Sequence, residues 1–135
     1  MPATKKNNAD ITITLWSLEY NYLPSQSTKT NKIVDHYVCD YELVESVNKR
    51  SKYQFTIERF TEPERFYKAR LSYAVLLDWK YDPDPDKDIG PVIKRVKDIL
   101  AIRASHTIAA VTSESFNLPS ITPPFFDDEL DENES

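Results

Sequence analysis

The residues with the types and spacing for chemistry come in one cluster. The stretch YDPDPDKD sets Asp82, Asp84, Asp86 and Asp88 at every second position, the spacing with which a calcium-binding loop begins. The rest of that recipe is missing. Lys87 stands where the turn glycine belongs, Ile93 where the bidentate glutamate belongs, and Pro83 and Pro85 fill two spacer positions. The cluster therefore reads as a solvated link between a strand and a helix, with no metal. His36 and His106 belong to no nucleophile motif, and GxSxG, HExxH and paired cysteines are absent. His106 falls near an apolar helical stripe, which predicts a packed imidazole and not a ligand. Gly90 is the one glycine in 135 residues, which excludes a phosphate-cradling loop or a dinucleotide fingerprint at the level of motif. Cys39, the single cysteine, allows neither an intrachain disulfide nor a zinc cluster, and fits a reducing compartment. Neither an enzyme nor a cofactor is expected.

The elements around these residues follow from periodicity. Residues 11–22, ITITLWSLEYNY, alternate with a period of two: Ile11, Ile13 and Leu15 on one face, then Trp16, Leu18, Tyr20 and Tyr22 on the other. That is a strand, and the change of phase at Leu15 and Trp16 predicts a bulge. Both faces of this strand are expected to carry apolar groups. A second strand is expected between Ile33 and Val47, a third around Tyr53, Phe55 and Ile57, and a fourth from Phe66 to Tyr81, whose Ala69, Leu71, Tyr73, Val75, Leu77 and Trp79 share a face. Four strands joined by short connections imply an antiparallel meander. From Ile89 the spacing changes: Val92, Val96, Ile99, Leu100, Ala104, Ile108 and Val111 recur at intervals of three and four, which predicts an amphipathic helix of some six turns. Pro91 suits its first turn. The order is α+β.

Composition bounds the function. A hydrophobic content of 40% and an aromatic content of 12% are those of one globular domain, expected over residues 11–126, with residues 1–10 disordered. The net charge of −5 misleads as an average, because Asp127, Asp128, Glu129, Asp131, Glu132 and Glu134 crowd the end of the chain. Residues 127–135 are expected to be an acidic, disordered tail that aids solubility. No basic stripe stands out for a phosphate backbone, so nucleic acid is not expected as a partner. No apolar run suits membrane insertion or a signal peptide, and a cytoplasmic protein is expected. One helix covers one face of a sheet. Apolar groups on the other face are therefore expected to meet a second subunit or a ligand.

The order of elements, together with the segment "TSESFNLPSITPPFFDDEL", resembles the SecB export-chaperone family. That family has a four-stranded antiparallel sheet, a long helix and a crossover segment reading roughly FPxLxLxPxNFDAL. Phe116, Ile121, Pro123, Phe126, Asp127 and Leu130 fall in register with the family's Phe, Leu, Pro, Phe, Asp and terminal Leu. The chain departs from the pattern at Asn117, where the family has Pro, and at Phe125, where it has Asn. The acids with which that family contacts the translocation motor become Leu18 and Tyr22 here, so docking to the motor is not carried over. The resemblance implies a homo-oligomer, tetramer or dimer, and ATP-independent holding of unfolded or nascent polypeptide in an apolar groove beside the crossover. Trp16, Tyr20, Tyr22, Phe116, Leu118, Ile121, Phe125 and Phe126 are the expected peptide-binding residues, with prolines keeping the crossover extended. SecB-like proteins also serve toxin-antitoxin and phage-related systems, which implies an antitoxin-like client as one alternative. A structural or assembly protein that uses the same fold only to oligomerise is the other.

Overall fold

The computed structural model describes residues 9–23, 34–62, 66–115 and 125–127. Four strands, β1 (Ala9–Leu23), β2 (Val34–Val47), β3 (Arg50–Glu62) and β4 (Phe66–Trp79), precede one helix, α1 (Ile89–Ser115). All four strands join one sheet in the order β1-β4-β3-β2, and every neighbouring pair is antiparallel. The expected meander holds for β2, β3 and β4. β1 lies beyond β4, so the connection from β1 to β2 must cross the width of the sheet, as in a Greek key. Residues 24–33, which make it, lie outside the described residues. The β2–β3 hairpin turns on Asn48 and Lys49, with Asn48 at φ 55°, a left-handed conformation that asparagine tolerates. The Lys49 carbonyl accepts the Trp79 N–H at 2.7 Å, which ties the hairpin to the end of β4.

The predicted bulge is present: the β1–β4 register shifts between Leu15 and Ser17, leaving Trp16 as the extra residue. Its consequence differs from the expectation that both faces of β1 carry apolar groups. Ile11, Ile13 and Leu15 lie opposite Leu77, Val75 and Tyr73, and after the bulge Leu18, Tyr20 and Tyr22 lie opposite Leu71, Ala69 and Tyr67. Directly opposed residues point to the same side of a sheet, so all six share the face of β4 that is buried. The bulge cancels the slip in the sequence. The far face is mostly polar instead, with Thr12, Thr14, Ser17, Glu19 and Asn21 of β1 beside Leu76, Ala74, Ser72, Arg70 and Lys68 of β4 and, beyond them, Lys52, Gln54, Thr56 and Glu58 of β3.

α1 covers the apolar face. Val92, Val96, Leu100, Ala101, Ala104, Ile108 and Thr112 are buried on its inner stripe against Tyr53, Phe55, Ile57, Leu71, Tyr73, Val75 and Leu77 of the sheet. Thr112 takes the last buried place that the spacing assigned to Val111, and its hydroxyl donates to the Ile108 carbonyl at 2.7 Å. The Tyr37 hydroxyl donates to the Ala101 carbonyl at 2.6 Å. Burial drives the Tyr37 phenol well above its ordinary value, and burial raises Tyr73 and Tyr53 as well. His106, expected in the apolar stripe, is exposed, because the stripe passes through Ala104 and Ile108 instead. Before α1, the aspartates cap their own loop. Asp84 Oδ1 accepts the Asp86 N–H at 2.9 Å and Asp88 Oδ2 accepts the Asp84 N–H at 2.8 Å. Among the described residues no three acid, histidine or cysteine side chains converge to hold a metal.

Four strands span about 19 Å and a helix with its side chains about 10 Å. One helix cannot cover the sheet's width, so apolar surface remains at the two margins, β1 and β2. Much of the surplus apolar surface therefore lies at the edges of the helix face.

Candidate peptide-binding surface

β2 is an edge strand with a covered half and an open half. On the helix face Tyr37 and Cys39 are buried, whereas Tyr41 and Leu43 are exposed. Tyr41 stacks on Phe55 with ring centroids 5.2 Å apart and lies 6.2 Å from Tyr53, tilted, so the open half begins as a shelf of aromatic rings. A second bulge, between Leu43 and Glu45, leaves Val44 as the extra residue and turns Glu45 and Val47 to the far face, opposite Lys52 and Arg50. There Val47 and Leu76 floor a cavity of about 610 Å³, rimmed by Glu45, Lys49, Lys52 and the Arg50–Asp78 ion pair at 3.5 Å. Val44 and Val47 are both more than half exposed. Asp40, Glu42 and Glu45 make the same stretch acidic, and β2 has no lysine or arginine.

Main-chain direction completes the edge. The Tyr37 N–H donates to Asp127, and so points away from β3. Alternate residues of an antiparallel strand present their polar groups on the same side, so Cys39, Tyr41 and Leu43 also turn N–H and C=O outward. Outward groups and exposed apolar side chains coincide from Tyr41 to Leu43.

The covered half owes its cover to residues after the helix. Phe126 is fully buried (0%), its ring 4.7 Å from that of Tyr37 and tilted 48°. Asp127 Oδ2 accepts the Tyr37 N–H at 3.1 Å and lies 3.7 Å from His36 Nδ1. The His36 ring stacks on Phe60 at 4.8 Å, and Lys68 Nζ sits 5.7 Å from the Phe60 centroid, a cation–π distance. Phe126 and Asp127 thus act as a clasp that fastens the chain to the start of β2.

No family model matches the chain, and no curated protein does. Among solved structures the chain is similar to the SecB-like chaperone Rv1957 of Mycobacterium tuberculosis, determined in complex with a ChAD peptide from the Rv1956 HigA1 antitoxin. The TM-score is 0.60 at 13% identity, over 90% of this chain and 91% of that one. The fold is SecB-like.

Of the eight residues that the SecB-like resemblance placed in a groove, the structure describes five. Trp16, the bulge residue of β1, is 58% exposed. Tyr22 is exposed, and Tyr20 is half-buried with its ring 5.8 Å from that of Tyr67. With Leu15 and Leu18 they form the β1 margin, on the opposite edge of the sheet from the clasp. Phe125 is exposed, but Phe126, expected in the groove wall, belongs to the core. Phe116, Leu118 and Ile121 lie outside the described residues, as does the acidic tail beyond Asp127. Asp127 itself, assigned to that tail, is docked on β2. Beside β1 lies a cleft of about 380 Å³, lined by Lys80, Arg95 and Arg103 together with Asp10. Sequence reasoning missed Tyr41, Leu43, Val44 and Val47. Their signal was an apolar series threaded with Asp40, Glu42 and Glu45, but its meaning depends on β2 being an edge, which only long-range pairing decides.

Proposed function

We propose that the chain is an ATP-independent holdase that binds unfolded or nascent polypeptide along the open half of β2. One observation carries this reading: from Tyr41 to Leu43 a main-chain edge with which no strand pairs among the described residues and exposed apolar side chains occur on the same residues. An extended client adds a strand there, with main-chain hydrogen bonds for affinity and apolar side chains laid on Tyr41, Leu43, Val44 and Val47. Asp40, Glu42 and Glu45 favour clients that place basic residues between apolar ones. A client of the antitoxin kind is supported by the peptide held by the structurally similar Rv1957, and a toxin-antitoxin or phage-related setting fits. The activity needs no ATP, cofactor, metal, nucleic acid or membrane insertion, and belongs to the cytoplasm. Docking to the translocation motor is not part of it.

The oligomer, dimer or tetramer, is assigned to β1. That strand carries only two charged residues, Asp10 and Glu19, so two copies meet without like-charge repulsion, and Leu15, Trp16 and Leu18 lose their exposure to water. The same margin supports the rival reading, a protein that assembles and does nothing more. Aggregation of a slowly folding client, diluted from denaturant without ATP, separates the two. The holdase suppresses it, and Tyr41→Asp/Leu43→Asp abolishes suppression with fold and oligomer size intact. A well-folded oligomer that leaves aggregation unchanged, and whose native surface binds no hydrophobic dye, would leave assembly as the function.

A further inference from the structure

The cleft beside the start of β1 joins an apolar floor to a cationic rim. Ile11, Ile13 and Ile99 are half-buried in it, and Lys80, Arg95 and Arg103 line it together with Asp10, so the lining is net positive. Arg95 already interacts within the chain, but among the described residues no ion pair engages Lys80 or Arg103. Arg95, Ile99 and Arg103 stand at intervals of four along one edge of α1. The two arginine positions are therefore about 12 Å apart along the helix axis, with the isoleucine midway. The end of the chain carries the matching pattern. Asp127 is followed by DELDENES, in which Asp128, Leu130 and Glu132 are alternate residues. Laid out as a strand, alternate residues share a side, which sets the two carboxylate positions about 13 Å apart with the leucine midway. Charge, order and spacing agree.

We infer that this cleft receives the acidic end of a second copy of the chain, with Leu130 on the isoleucine floor and Asp128 and Glu132 at the cationic rim. A chain cannot reach its own cleft. Asp127 is fastened to Tyr37 at the β2 edge. Tyr37 lies in one row with Arg59, Ala69 and Tyr20, whereas Ile13 of the cleft lies opposite Val75. The cleft is thus the full width of the sheet away, and also the length of β4 from Ala69 to Val75, about 25 Å in a straight line. Leu130 follows Asp127 so closely that it extends only about 10 Å beyond it. The contact is distinct from pairing through β1, because it uses Ala9 to Ile13 and leaves Leu15, Trp16 and Leu18 to that pairing. Two copies related by a two-fold axis fill both clefts at once. Acids expected to serve solubility thereby also steer one copy onto another. This holds whether or not β2 binds clients.

The experiment uses full-length chains and reads the methyl signals of Ile11, Ile13 and Ile99 by NMR. Ile99, on α1, tells this contact from pairing through β1. In the unmodified protein the three signals move together on dilution, and move the same way as salt rises, because salt screens an attraction between exposed charges. Two full-length variants then separate tail from cleft. Arg103→Glu keeps the tail and reverses a charge at the rim, and Asp128→Lys/Glu132→Lys keeps the cleft and reverses the tail. Each variant should bind itself through this contact about tenfold more weakly than the unmodified chain does. Unlabelled Arg103→Glu, added to labelled Asp128→Lys/Glu132→Lys, brings an intact tail to an intact cleft and returns the signals to their positions in the concentrated unmodified protein. Signals that ignore dilution in the unmodified protein, or that the mixture fails to restore, would overturn the inference. So would a leucine–glutamate peptide that fills the cleft of a chain whose signals ignore dilution, since the cleft would then belong to a foreign acidic partner. Because the dilution series needs no variant, the outcome does not hang on either variant folding.

Discussion

β1 and β2 are the two margins of one sheet, each is bulged once, and each exposes apolar side chains, yet they differ in charge and in what the bulge accomplishes. At Trp16 the bulge gathers Leu18, Tyr20 and Tyr22 onto the helix face with Ile11 and Ile13. Val44 does the opposite, sending Glu45 and Val47 to the far face and ending the regular ladder. β1 has two charged residues and a flank of Lys80, Arg95 and Arg103, whereas β2 carries four acids, Asp35, Asp40, Glu42 and Glu45. Two copies of β2 laid side by side repel each other, and two copies of β1 do not. The contrast teaches that exposed apolar area alone does not define a client site. Its charge and the state of its main-chain edge assign the partner.

The largest effect expected comes from removing the cover of β2. Phe126→Ala deletes a fully buried ring and should lower unfolding stability by about 3–5 kcal/mol, read from denaturant melts. A loss below about 1 kcal/mol would mean that the clasp is an ornament and that β2 is open along its whole length. Next is the division of labour. Trp16→Asp/Leu18→Asp should weaken self-association by roughly a hundredfold, the loss of about 3 kcal/mol of apolar burial, as seen by light scattering across a dilution series. Client binding per chain should persist. If this pair abolishes client binding and Tyr41→Asp/Leu43→Asp splits the oligomer, the two margins have been assigned the wrong way round.

Much of the fold was legible in the sequence because it is written in local periodicity. The four strands, the helix from Ile89 and the bulge beside Trp16 all follow from spacings that the backbone imposes. Strand order was not legible, since nothing local tells β1 to pair with β4 and cross over to β2. That one ambiguity spread: without knowing that β2 is an edge, Tyr41 and Leu43 read as ordinary inward residues. The bulge was seen and its consequence inverted, because a phase slip in sequence and an extra residue in the strand cancel. Phe126 and His106 show the same limit. A phenylalanine in a proline-rich, acidic context is bound into the core by Tyr37, and a histidine one step off the helical stripe is left in water. Of the eight expected binding residues, Trp16, Tyr20, Tyr22 and Phe125 keep some exposure, but no single groove gathers them among the described residues.

The contact that joins β2 to the helix gives a smaller and pH-dependent test. Tyr37→Phe removes the donor to the Ala101 carbonyl and should cost about 1–2 kcal/mol at neutral pH. In the folded chain Tyr37, Tyr73 and Tyr53 all have pKa values raised above 10.0, with burial the chief cause. The unfolded chain therefore loses these protons first. Stability that these phenols contribute is intact below about pH 10 and falls as pH rises through their folded values. Denaturant melts taken at rising alkaline pH should show that decline, less steep in Tyr37→Phe. A slope unchanged by the substitution would mean that Tyr37 is not held neutral between sheet and helix.

The smallest effect expected tests the acidity of β2 itself. Asp40, Glu42 and Glu45 are exposed, so each attracts a basic client residue only weakly, by about 0.2–1 kcal/mol, and salt screens the attraction over a Debye length of about 10 Å at 0.1 M. Replacing Asp40 and Glu42 by asparagine and glutamine should weaken a leucine–lysine peptide several-fold at low salt and hardly at all at high salt, while a leucine–serine peptide is indifferent in both. The comparison of margins then has its sharpest form, because the same neutralisation should bring β2 closer to β1 in character and raise self-association at that edge. If the substituted protein neither loses preference for lysine nor gains any tendency to pair through β2, charge does not separate the two margins.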